Sequence, residues 1–156
     1  MDIDRYETQS DDDNHIFTFI SEGDLDIIKI VRYDRENIVY KNLDGNTFNA
    51  YNLGFGDKKS NLNCIDDLAR SNNGDMYLIF NTILHTIPLF FSKKKNAAIH
   101  IRGAERTRHL IYLRFLNQRY DKLILEYMFY GSLAGVIHPF EKGTFYDYIV
   151  VMPKKT

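Results

Sequence analysis

Three arginines, Arg102, Arg106 and Arg108, fall within residues 102–108, and Thr107 stands between the last two. A short apolar run at 97–101 and Gly103 precede them, and from about residue 105 apolar side chains recur at helical spacing. The pattern predicts a strand, a sharp turn and a helix start with the guanidinium groups gathered around it. A helix start presents four unpaired backbone N–H groups and about half a positive charge. Exposed cations cost about 0.3–1 kcal/mol each there, so ordinary usage favours Asp or Glu. A candidate anion site follows, with Arg106 and Arg108 for bidentate contact, Thr107 for a hydroxyl and Arg102 in support. Asn72 or Asn73 is expected to orient the bound group. A competing reading keeps the arginines structural: Asp57 and Asp75, also at element ends, pair with Arg106 and Arg108 and hold two helices to a sheet.

Other chemistry has less to stand on. His109 beside Arg108 is a candidate general base, since the neighbouring charge favours its neutral form. With Asp75 and the same arginines it frames the alternative of a small hydrolase or transferase of toxin or phage-defence type. The histidines show no HxH or HExxH spacing, and no P-loop, dinucleotide or Gly-x-Ser-x-Gly pattern occurs, so no metal and no cofactor is expected. Cys64 is the single cysteine, which excludes an internal disulfide and fits a reducing compartment, and its acidic neighbours Asp66 and Asp67 disfavour a reactive thiolate.

The 156 residues suffice for one domain with its own core. A net charge of −1 gives no global pull toward nucleic acid or anionic membrane, so nucleic acid is not favoured, though Tyr112 and Tyr120 near the arginines leave it open. The longest apolar run, at 83–91, contains His85, Thr86 and Pro88 and is far shorter than the ~20 residues of a spanning helix. The acidic start of the chain is the reverse of a secretory signal, and a cytoplasmic location with no membrane partner is expected.

The elements that must position these residues read as follows. Residues 1–14 form a flexible or loosely docked arm, and 15–156 a single α+β domain. Strands are predicted at 16–21, 26–33, 38–42 and 47–55, with turns at 22–24, 34–37 and 43–46, the last carrying the Asp44-Gly45 hairpin signal. Residues 56–74 make a long acidic connection, with a short helical turn around 65–69. Asp75 is a candidate N-cap for a helix whose stripe is Met76, Ile79, Phe80, Ile83, Leu84 and Ile87, and which Pro88 is expected to kink or end. After the strand–glycine–helix unit come strands at 122–132 and 143–152, with Gly131, Gly135 and Pro139 punctuating a turn between them.

Three peptides carry a resemblance. YNLGFGD at 51–57, IDDLARSNNGD at 65–75 and ERTRHLIY at 105–112 resemble the motifs of an uncharacterised bacterial domain family, with N-L-x-F-G-D, S-x-N-G-D and R-T-R segments. His109 stands where that pattern has Leu. The resemblance implies a shared fold without an assigned activity.

The expected fold is α+β: a mainly antiparallel curved sheet of about six or seven strands, in the order β-β-β-β-α-β-α-β-β, with two helices on one face. The expected function is a cytoplasmic binding or interaction module whose helix start recognises a phosphate-bearing ligand or a protein partner's carboxylate. Tyr and Phe number eleven each, more than such a core needs. A sheet face lined by Tyr33, Tyr40, Tyr51, Tyr127 and Tyr146, or an edge strand, is therefore expected to form a homodimer.

Overall fold

The computed structural model describes residues 4–42, 44–58, 65–66, 75–102 and 106–154. In chain order these form β1 (Gln9–Ser10), β2 (Ile16–Ser21), β3 (Ile27–Lys41), β4 (Thr47–Lys58), β5 (Ile65–Asp66), α1 (Met76–Lys93), β6 (Ala97–Ile101), α2 (Arg106–Leu123), β7 (Tyr127–Leu133), β8 (Val136–Pro139) and β9 (Tyr148–Pro153). The protein is α+β, with an open, mostly antiparallel sheet ordered β1-β2-β3-β4-β6-β9-β7-β8 and β5 paired to β4. Strands β4 and β6 run parallel, as a connection long enough to hold a helix permits. The described residues thus hold nine strands rather than six or seven. Two compact units divide the chain: residues 1–33 with 54–94, and residues 34–53 with 95–156.

In the first unit, β2 pairs with the start of β3 from Ile16↔Arg32 to Ser21↔Ile27. The alternate residues Phe17, Phe19 and Ser21 are buried, as the period of two requires. Helix α1 buries Ile79, Phe80, Ile83, Ile87, Phe90 and Phe91. Its Phe90 ring stacks on Tyr33 at 4.1 Å, and the Tyr33 and Thr86 hydroxyls share a hydrogen bond of 2.7 Å. Pro88 does not end the helix, which continues to Lys93. The proline is exposed, and the apolar stripe continues past it to Phe90 and Phe91, so tertiary packing overrides the missing hydrogen bond. The chain start is tied to this unit: β1 pairs with β2, the Tyr6 amide donates to Thr82 Oγ1 at 2.9 Å, and Asn14 Nδ2 donates to the Leu89 carbonyl at 2.9 Å. Ile65 and Asp66 are strand, paired with Lys58 and Asp57, where a helical turn was expected.

In the second unit, the turn expected at 34–37 is absent, and β3 runs unbroken through it. Arg35 explains this. Its guanidinium donates to the carbonyls of Glu36, Ile38 and Ala50 and to Asn49 Oδ1, and lies over the Tyr51 ring at 5.7 Å. A charged side chain that bridges to β4 keeps the polar stretch extended. Gly45 has φ of +84°, in keeping with the Asp-Gly hairpin.

Helix α2 runs on to Leu123, so the strand predicted at 122–132 begins only at Tyr127. Ala134 and Gly135, both at positive φ (50° and 81°), make a tight two-residue hairpin into β8, a strand where a turn was expected. Residues 143–147 precede β9 rather than belonging to it. The α2 residues Tyr112, Leu113 and Leu116 are buried, and Tyr120 meets Phe129 and Phe140 at ring distances of 5.8 and 4.9 Å. Tyr146 is buried over Gly131, where an added Cβ would lie 2.2 Å from the ring. Four of the five tyrosines expected on an uncovered face, Tyr33, Tyr51, Tyr127 and Tyr146, are buried instead; Tyr40 is half-buried.

Candidate functional site

Helix α2, in the second unit, begins at Arg106, within the segment that carries the predicted arginines. Arg106 opens the helix and is exposed, as is Arg102 just past β6. The Arg106 guanidinium lies over the Phe145 ring at 5.1 Å, a cation–π contact that restrains the long side chain. No acidic side chain occupies the first turn of α2. Thr107 and Arg108 lie in the helix, but their side chains, like Gly103, Asn72, Asn73 and Cys64, lie outside the described residues.

His109 follows on the same turn and is buried. Its Nε2 faces the Tyr146 carbonyl at 2.6 Å, and its ring meets Phe145 edge to face at 5.4 Å. A carbonyl only accepts, so Nε2 carries a proton and holds α2 to residues 145–146. That nitrogen is a donor and cannot act as a base. One residue, Phe145, therefore supports both Arg106 and His109.

Asp57 and Asp75 lie in the first unit, each engaged there. Asp57 forms an ion pair with the buried Lys29, whose ammonium lies over the Phe55 ring at 5.9 Å. Asp75 takes the N-cap position of α1 without a side-chain cap bond. Its Oδ2 accepts from the Tyr6 and Ser21 hydroxyls, both at 2.5 Å. Burial, followed by the Asp75 hydrogen bond, pushes the Tyr6 phenol above its ordinary pKa. Asp57 thus ties β4 to β3, and Asp75 ties the chain start and β2 to the start of α1.

Sequence reasoning missed a second polar cluster in the second unit. His100 on β6 is buried, with Nδ1 3.1 Å from Glu36 Oε2 and Nε2 2.5 Å from Tyr40 Oη, both on β3. Tyr148 on β9 closes the group at 5.0 Å between ring centres. Its members come from strands far apart in sequence, and reading 34–37 as a turn hid the alternation that puts Glu36 and Tyr40 on one face. Among the described residues no group of His, Cys, Asp and Glu is arranged to hold a metal ion. No helix among the described residues is long and apolar enough to cross a membrane.

A family model described as "Family of unknown function (DUF6934)" matches residues 2–154, and the chain belongs to that family. No curated protein and no solved structure matches the chain.

Proposed function

We propose that this protein is a binding module that recognises an anionic group, phosphate or carboxylate, at the start of α2. The observation that carries the reading is Arg106: exposed, restrained on Phe145, and placed at a helix start whose first turn holds no acid. A ligand that brings an anion there meets the first backbone N–H groups of the helix and a planar guanidinium. Arg102 adds a second positive charge. We place the module in the cytoplasm of a bacterial cell, in keeping with a single cysteine. A role in toxin–antitoxin or defence systems remains part of the proposal, with an anionic ligand or a protein partner as the thing recognised.

The test is a thermal-shift series with tripolyphosphate, run on wild type and Arg106→Ala side by side. A ligand bound at 100 times its dissociation constant stabilises by about 2.7 kcal/mol. Wild type is expected to show a dose-dependent rise in melting temperature that Arg106→Ala loses, with the variant's ligand-free melting temperature within about a degree of wild type. Equal shifts in the two proteins would place the anion elsewhere.

A further inference from the structure

The Glu36–His100–Tyr40 cluster has an order of groups that its surroundings make directional. An ionised carboxylate only accepts, so Nδ1 of His100 carries the ring proton toward Glu36. Nε2 is then a free acceptor for the Tyr40 hydroxyl at 2.5 Å. Burial pushes the His100 pKa below its ordinary value, with Arg102 acting the same way, while the charge of Glu36 opposes both. The ring is therefore neutral at pH 7 and able to receive a proton. Burial, and after it the hydrogen bond shared with Tyr148, holds the Tyr40 phenol protonated. Carboxylate, imidazole and hydroxyl thus stand in the sequence of a hydrolase triad, with a phenol where such triads hold a serine.

Exposure runs the right way for such a role. His100 is sealed at 5 % exposure, whereas Tyr40 and Tyr148 beside it are half-buried. Both pack beside the apolar group of Phe48, Ala98, Val150 and Met152. A negative charge at Glu36 and apolar neighbours suit a neutral substrate better than a phosphate. We propose that Tyr40 is a nucleophile toward carboxylic esters, with His100 as its general base and Glu36 as the positioning residue. Tyr40 Oη attacks the carbonyl carbon while its proton passes to His100 Nε2. The C–O bond of the ester then breaks, and the leaving oxygen departs with the electron pair. O-acyl-Tyr40 remains, with an imidazolium balanced by Glu36.

The full chain is incubated with p-nitrophenyl acetate, the p-nitrophenolate burst is followed, and the acetyl group is located by peptide mass spectrometry. Acetylation is expected on Tyr40. Tyr40→Phe, which deletes one hydroxyl, loses the burst, and His100→Gln slows it on the order of 10²-fold. The rate rises with pH as His100 loses its proton. Glu36→Gln removes a charge that favours imidazolium, so its rise moves to lower pH. That shift decides the matter even where His100→Gln fails to fold, since Glu36 is partly exposed. A burst retained in Tyr40→Phe, acetyl spread over lysines and other tyrosines, or an unmoved profile in Glu36→Gln would overturn the proposal.

Discussion

At the scale of single residues, the chain spends its charged side chains on specific partners. Asp75 shows how. A carboxylate at an N-cap usually accepts from its own helix, yet this one accepts from Tyr6 and Ser21 and so binds the chain start and β2 to the helix start. Asp75→Ala removes the acceptor that both hydroxyls share and is expected to cost about 1–3 kcal/mol, against a smaller loss for Asp75→Asn, which keeps one oxygen. Urea unfolding midpoints check this, and an unchanged midpoint in Asp75→Ala would show that the shared contact contributes nothing. The residue type was legible in the sequence: an Asp before a clear apolar stripe is an N-cap signal. Its partners were not, because Tyr6 and Ser21 lie 69 and 54 residues away, and local pattern carries no information on pairing at that range. The arginines behaved differently. The helix start at Arg106 followed from spacing alone, while the Phe145 ring that restrains Arg106 belongs to a stretch expected to be strand and distant in sequence.

At the scale of elements, the two helices and the main strands were readable because 3.6-residue and two-residue periods are strong there. The misreadings have physical causes. Polar residues 34–37 looked like a turn, but the Arg35 bridges to Ala50 and Asn49 hold them in strand. Pro88 suggested a kink or an end, and α1 continues past it to Lys93 with Phe90 and Phe91 buried. Gly131 looked like turn punctuation, but it lies within β7 and is needed for room, since Tyr146 covers it. Gly131→Ala is therefore expected to destabilise by about 1–3 kcal/mol, the usual cost of overpacking. Gly135→Ala is a different test of the same hairpin: nothing lies near its absent Cβ, and only the positive φ opposes it. Equal or smaller loss in Gly131→Ala than in Gly135→Ala, by thermal unfolding, would contradict the packing account.

At the scale of the whole molecule, the α+β class and the mostly antiparallel sheet were legible, and so was membership of an uncharacterised family, whose model spans residues 2–154. The strand order was not, because β6 inserts between β4 and β9, and β9 between β6 and β7, which no count of elements reveals. This non-sequential order also assembles the Glu36–His100–Tyr40 group. Self-association is proposed through β8, an outer strand exposed along its length with Val136 and Ile137 among its residues. Light scattering at micromolar concentration is expected to give twice the 18.4 kDa chain mass, and a monomer mass would contradict it.

The central claim, anion recognition at the start of α2, is met most directly by isothermal titration of tripolyphosphate into wild type and Arg106→Ala. The account predicts saturable one-site binding to wild type that weakens as salt rises, because exposed charges are screened. It predicts at least about tenfold weaker binding to Arg106→Ala, which corresponds to the ~1.4 kcal/mol that loss of a charge-assisted contact removes. Binding of equal strength to both proteins, or no binding to wild type at millimolar ligand, would contradict it.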